Sequence, residues 1–203
     1  RSFLSEPGGL YLSYLIRPHE SAQELLHLTA LAGLCVCNAV RQVTGMQPSI
    51  KWPNDPVLNG KKLCGILTEL SVSLETQEPE YVVIGIGINV FNDVSSIAGE
   101  IKDPPARLAD LVRDCPSLHA VMASLGSHLN QVLSVFSHGG VPSLQEGLSR
   151  AWAGERPVSI LTDDETVRGI FTGIDDQGNP VLSLPAGTVR TIPAHLINRL
   201  LEE

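Results

Sequence analysis

The chain has 203 residues, of which 43% are hydrophobic and 18% charged, which suits one moderate domain plus a small one, folded throughout. A formal charge of −8 and a pI near 5.2 exclude a protein that wraps nucleic acid, since counterion release needs a basic stripe, so local cations are left to serve a small anionic ligand. The longest apolar stretches, 25–40 and 82–90, are interrupted or too short to span a bilayer, and no secretory signal opens the chain, so a cytoplasmic protein with no membrane partner is expected.

From the N-terminus, Gly9 to Ile16 is aromatic and apolar enough for a buried strand that Arg17-Pro18 ends. Ser21 with Glu24 makes a capping box, and leucines at 25, 28, 31 and 34 keep helical spacing until Gly45, so a single helix is predicted there. Cys35 and Cys37 project to different sides of that helix, while Cys64 and Cys115 stand alone. No metal-ligand spacing or disulfide framework results, and the six histidines form no HxxxH pair.

Ile50 to Trp52 reads as a short strand entering a Pro53-Asn54-Asp55-Pro56 turn, whose prolines argue against regular pairing. Strands over 62–70 and 81–90 follow, joined by a polar loop as an antiparallel pair. In the later strand Val82, Ile84, Ile86, Ile88 and Val90 share one face; Val83, Gly85, Gly87 and Asn89 share the other. One face is core and the other a nearly bare shelf. Glycines weaken a strand, so two at alternate positions imply either a flat ligand or a close strand crossing. This GxG is no dinucleotide fingerprint, which needs a third glycine and a strand-to-helix turn.

Asp103-Pro104 is a good helix start, and the apolar spacing of 108–112 and 118–136 predicts two helices split near Cys115-Pro116, the second stopped by His138-Gly139-Gly140. A shorter helix over 143–152 precedes alternating β sequence at 158–161, 166–174, 181–184 and 188–192, with a turn at Asp176 to Gly178. A domain boundary near Gly154 is expected, dividing the chain into 1–153 and a small β-barrel over 154–203.

The chemistry concentrates between positions 51 and 89. Lys51 and Lys62, on strands expected to neighbour one another, flank the proline-constrained turn, and two held ammonium groups suit a phosphate or carboxylate. A lone lysine of this kind would read as a solvated surface residue; the clustering with Asn54, Asp55 and the glycine shelf reverses that preference. Asp55 could orient a magnesium-bound phosphate, hold or deprotonate an incoming amine, or simply cap its turn. Asn89 offers donor and acceptor in one amide, suited to an adenine edge or to a satisfied turn.

Taken together, Lys51-Trp52-Pro53-Asn54-Asp55, then Lys62-Leu63-Cys64-Gly65-Ile66-Leu67, then Gly85-Ile86-Gly87-Ile88-Asn89 resemble, in order and spacing, the KWPND, KLxGIL and GxGIN motifs of biotin protein ligases. Gly8 to Ser13 matches that family's upstream strand and Arg156-Pro157-Val158 the opening of its C-terminal barrel, so the resemblance covers essentially the whole chain. It implies an α+β fold, a mixed or antiparallel sheet flanked by helices as in class II aminoacyl-tRNA synthetases, with a small β-barrel behind it. It also implies a two-step reaction: biotin and ATP give biotinyl-AMP and pyrophosphate, and a lysine of a biotin carboxyl carrier domain displaces AMP.

On that resemblance Lys62 contacts the biotin carboxylate and transferred phosphate, Lys51 holds the α-phosphate and Asp55 positions the carrier amine. Gly65, Leu67, Gly85 and Gly87 line the biotin slot, and Asn54 and Asn89 serve ATP, with Asn89 on adenine. Mg2+ comes with ATP rather than in a metal site of the protein. The family's GRGRxGR loop would end at Arg1, with Phe3 over adenine, and Arg199 matches an arginine that reaches the ATP phosphates. The upstream strand, helix and helix-turn-helix of the family have no counterpart in these residues, which give repressor function no support. An exposed sheet edge would suit a homodimer. A lipoate-type ligase of the same fold, or a non-catalytic remnant that holds biotin or a carrier domain, are the rival readings.

Overall fold

The computed structural model describes residues 5–51, 54–95, 104–152, 155–175, 177–185 and 187–202. At its centre is an antiparallel sheet of β1 (Leu10–Ile16), β5 (Cys64–Val72) and β6 (Pro79–Ile88), in the order β1-β6-β5. Val82, Ile84, Ile86 and Ile88 of β6 turn to one side and are at most 3% exposed, each contributing about 1.5–3 kcal/mol by leaving water. β1 is not the buried strand expected: among the described residues it is an edge strand that pairs with β6 alone, and its Leu15 is 55% exposed.

The predicted capping box forms, with the Ser21 N–H donating to Glu24 Oε2 at 2.9 Å and the Glu24 N–H to Ser21 Oγ at 3.4 Å. The helix it starts, α1 (Ala22–Leu25), lasts one turn, and α2 (Leu28–Thr44) begins only after a break at Leu26 and His27, where a single helix was expected. At the break the His27 N–H bonds the Glu24 carbonyl at 3.2 Å, the tighter i→i+3 closure. A Cβ on Gly178, far along the chain, would fall 2.6 Å from His27 Nδ1. That tertiary contact sits at the kink, and leucine spacing cannot encode it.

α2 is apolar nearly all round because it is covered on several sides, by β5 and β6, by α4 (Leu118–Gly139) and by α5 (Gln145–Ala151). Gly45 closes it in the left-handed region, φ 72°, its N–H on the Arg41 carbonyl at 2.8 Å. Ser117 caps α4 by accepting from the Ala120 N–H at 3.2 Å, and Val121, Leu125, Leu129, Val132 and Phe136 form its buried stripe. The expected helix beginning at Pro104 does not form, and Asp103 lies outside the described residues. Pro104 accepts from the Lys62 N–H at 3.1 Å and Ala106 donates to the Lys62 carbonyl at 2.9 Å, so this stretch runs extended, leaving only α3 (Leu108–Leu111). Prolines at 104 and 105 lack the donors a helix interior would use but leave their carbonyls free for a strand.

A second small sheet holds β2 (Ser49–Lys51), β3 (Asp55–Leu58) and β4 (Lys61–Lys62) in the order β2-β3-β4. Pairing was not expected at these prolines. Pro56 nevertheless sits in β3, opposite Ile50, and its carbonyl accepts from the Leu63 N–H at 2.9 Å. The strands bearing Lys51 and Lys62 are therefore not neighbours but flank β3 on either side.

The C-terminal part is a five-stranded antiparallel sheet of β7 (Arg156–Leu161), β8 (Thr166–Ile174), β9 (Pro180–Ser183), β10 (Val189–Thr191) and β11 (Arg199–Glu202), in the order β10-β9-β8-β7-β11. In place of the closed barrel expected, this sheet is open among the described residues: its edges, β10 and β11, span three and four residues and do not pair with each other. Trp152 and Phe171 meet edge to face, centroids 6.1 Å apart, with the Arg156 guanidinium 5.3 Å over the Phe171 ring. One buried cluster runs from Leu10 to Ile192 through both parts. No helix among the described residues is long and apolar enough to cross a membrane.

Candidate active site

The tight hairpin between β2 and β3 places Lys51 directly opposite Asp55, and directly opposed residues of an antiparallel pair project to the same face. From the other side of β3, Lys62 Nζ reaches Asp55 Oδ1 at 2.6 Å. The two side chains are 24% and 29% exposed, so this is a partly desolvated ion pair that still reaches the surface. Two ammonium-bearing residues and one carboxylate thus gather around β3, where the chain then crosses at the fully buried Leu63 into the central sheet.

That crossing brings the charged group beside the glycine shelf. In register across the three strands lie Tyr11, Gly87 and Gly65, and one step along, Ser13, Gly85 and Leu67. A Cβ on Gly85 would meet nothing closer than the Leu67 carbonyl, 3.5 Å away, and the Leu67 Cβ at 3.9 Å. Its nearest neighbours belong to the adjacent strand of its own sheet, so a close crossing by another segment is not what requires a glycine there. Leu67 is 62% exposed on the same face, an apolar side chain without cover. At the β1 end, Tyr11 folds back, its hydroxyl donating to the Glu6 carbonyl at 2.9 Å, over Gly9, where a Cβ would sit 2.3 Å from the Tyr11 oxygen.

Beneath the ion pair the fully buried Cys64 thiol is pushed far above the ordinary thiol range, chiefly by desolvation. Burial likewise pushes Cys35 and Cys37 up to about 12. These thiols stay protonated at neutral pH and offer no nucleophile, which leaves chemistry at this end of the sheet to lysine, carboxylate and amide groups.

Asn89 directly follows β6 with its backbone held on both sides: its N–H donates to the Leu63 carbonyl at 2.8 Å and its carbonyl accepts from the Leu108 N–H at 3.0 Å. Its side-chain oxygen accepts from Asn92 Nδ2 at 3.0 Å, and Asn92, 4% exposed, accepts from the Val90 N–H at 3.1 Å. Sequence reasoning missed Asn92. The available signal was an Asx residue just past a strand end, which favours side-chain bonds to nearby backbone.

Other predicted residues are more dispersed. Asn54 lines a cavity of about 480 Å³ between the α1–α2 turn and the C-terminal sheet, together with His27, Trp152, Gln177 and Ala194. Arg199 opens the edge strand β11 opposite Leu161 and makes no ion pair among the described residues. Arg1, Phe3, Trp52 and Pro53 lie outside the described residues.

The sequence profile described as the Biotin/lipoate A/B protein ligase family matches residues 1–89, and that of the Biotin protein ligase C terminal domain matches residues 154–194. The bifunctional ligase/repressor BirA of Bacillus subtilis (strain 168) is 31% identical over 192 residues, covering 94% of this chain and 58% of that protein. The biotin--[acetyl-CoA-carboxylase] ligase of Paracoccus denitrificans is 30% identical over 211 residues, 96% of this chain and 81% of that one. The biotin protein ligase from Aquifex aeolicus in complex with biotin and ATP superposes with a TM-score of 0.80 at 26% identity, over 100% of this chain and 82% of the other. This chain spans a little over half the length of the Bacillus relative.

Proposed function

Because the chain belongs to the biotin protein ligase family, we propose that it joins biotin to ATP as biotinyl-5′-AMP, and then passes biotin to a lysine of a biotin carboxyl carrier domain. The observation that carries this reading is the Lys62–Asp55 contact of 2.6 Å, with Lys51 opposite Asp55 on the neighbouring strand and Lys62 leading directly into the strand that pairs with Gly85, where a Cβ would meet only that strand. In the first step a biotin carboxylate oxygen bonds to the α-phosphorus while the bond to the bridging oxygen breaks, and pyrophosphate leaves with its electron pair. Two anions must approach, and fixed ammonium groups lower that repulsion and stabilise the charge of the pentacoordinate phosphorus. Lys62 holds the biotin carboxylate and α-phosphate, and Lys51 the α-phosphate from the opposite strand. In the second step the carrier amine, steered by Asp55, attacks the acyl carbon and AMP departs; the amine proton is lost to the Asp55 carboxylate or to water.

Biotin's flat ring system lies against Gly65, Gly85 and Gly87 with Leu67 as its apolar cover; Asn89, with Asn54 near the hairpin tip, serves ATP. Arg1, Phe3 and Arg199 complete the nucleotide site, and Mg2+ enters with the ATP phosphates. The same reading keeps the class II synthetase-like kinship, the division at 153/154, a homodimer through the β1 edge and a cytoplasmic setting, which suits four free cysteines.

One profile is described for both biotin and lipoate ligases, so acyl choice is the point to test. Pyrophosphate release with ATP is to be measured with biotin, with lipoate and with neither. Release dependent on biotin supports the proposal; equal release with lipoate makes the chain a lipoate-type ligase, and biotin binding without release makes it a binding module.

A further inference from the structure

We propose that Asn92 is a positioning residue that fixes which end of the Asn89 amide faces the nucleotide, so that Asn89 reads adenine as a donor to a ring nitrogen. The inference rests on the reading that places adenine at Asn89. An asparagine amide has an oxygen that only accepts and a nitrogen that only donates, and turning it over exchanges the two. Here the choice is made by the main chain. The Val90 N–H can only donate, so the Asn92 atom 3.1 Å away must be its oxygen. Asn92 then offers its nitrogen to Asn89 at 3.0 Å, and the Asn89 atom facing it must be oxygen.

Asn89 Nδ2 is thereby turned outward, with no hydrogen-bond partner among the described residues. The relay is rigid because the Asn89 backbone is bonded on both sides, to Leu63 and Leu108, and Asn92 is buried. Reversing Asn89 would set two donors against each other beside the buried Asn92, leaving both without an acceptor, so the outward donor is the stable arrangement. A purine offers such a donor only its ring nitrogens N1, N3 and N7 as acceptors, whereas its exocyclic amine would need the opposite polarity.

Asn92→Asp reverses the relay. At pH 8 the aspartate accepts from Val90 with one oxygen and presents the other to Asn89, which turns over to donate inward and shows its oxygen to the nucleotide. ATP and its 1-deaza, 3-deaza and 7-deaza analogues are to be titrated calorimetrically into the intact wild-type protein, Asn92→Asp, Asn92→Ala and Asn89→Ala, with folding checked by circular dichroism. The wild type should bind one analogue about tenfold more weakly than ATP, as expected when a buried donor loses its acceptor. In Asn92→Asp that penalty should fall to less than about threefold, with ATP itself bound more weakly; Asn92→Ala, which removes the relay without adding charge, should also reduce the penalty. A folded Asn92→Asp or Asn92→Ala protein that keeps the full penalty overturns the relay. If Asn89→Ala itself keeps ATP affinity and the penalty, adenine does not lie at Asn89, and the underlying reading fails instead.

Discussion

At Asp55 one carboxylate has two lysine-bearing neighbours, Lys51 across β2 and Lys62 at 2.6 Å from β4, so the charge of the site depends on which of the three is altered. Lys62→Met keeps the aliphatic stem but removes one of the two ammonium groups around Asp55, leaving Lys51 alone to offset the carboxylate where, on the proposed reading, two anionic substrates meet. Removing one such preorganised group costs about 10²–10³ in kcat where it acts on the transition state. The expected outcome is a loss of that order in biotin-dependent pyrophosphate release with an unchanged circular dichroism spectrum. Asp55→Asn should separate the two steps: adenylate still forms, because both ammonium groups remain, while transfer to a carrier lysine slows. Single-turnover assays of adenylate formation and of carrier labelling check this, and equal slowing of both would remove Asp55 from its transfer role.

The central sheet makes a sharper demand on its elements, since β6 must bury its apolar face completely and keep Gly85 half-open on the other. Alternation in the sequence carried the apolar half, and the structure places Val82, Ile84, Ile86 and Ile88 inside with Gly85 on the opposite face; that Gly87 on this second face is itself buried was not carried by it. Gly85→Val is therefore expected to fold, because a first carbon there stands in ordinary contact at 3.5 Å, and β-branched residues suit strands. Biotin affinity should nonetheless fall at least about tenfold, as expected of an overfilled contact surface, with the thermal midpoint within a few degrees of wild type. An unchanged biotin dissociation constant would move the acyl site off this shelf. Local signals such as the Ser21–Glu24 box, the Gly45 cap and the β8 boundaries were legible because each depends on residues a few positions apart. The kink at His27, the strand at Pro56 and the extended run at Pro104 were not legible, because each is set by a partner distant in sequence or by a carbonyl, which no side chain advertises.

At the scale of the molecule, His27 joins the two parts of the chain, with Gly178 against its ring and Asp175 nearby. Burial holds the folded imidazole below its ordinary value of 6.5, only partly opposed by Asp175 and then Glu24. The unfolded chain therefore binds the proton first, so the contribution is complete above that ordinary value and is lost as pH falls toward the depressed folded value. His128, depressed by its own burial and then by Arg41, adds in the same direction. The thermal midpoint should drop between about pH 7.5 and pH 5, a span that brackets the ordinary histidine pKa, by less in His27→Asn than in wild type, measured by scanning calorimetry at matched ionic strength; equal drops would show that the junction does not titrate.

The same junction sets how the molecule unfolds. Trp152 stacks edge-on against Phe171, and both belong to the one buried cluster that includes α2 and the central sheet. An independent C-terminal module would melt separately, but a shared core couples the two parts. Phe171→Ala opens a cavity in that core at a cost of about 3–5 kcal/mol, and it also strips the Arg156 guanidinium of the ring it covers at 5.3 Å. Calorimetry should show one endotherm shifted down as a whole, with Trp152 fluorescence and far-ultraviolet circular dichroism following the same curve. Two endotherms, with only the smaller displaced, would mean that the C-terminal sheet folds on its own and that the buried cluster does not act as one cooperative unit.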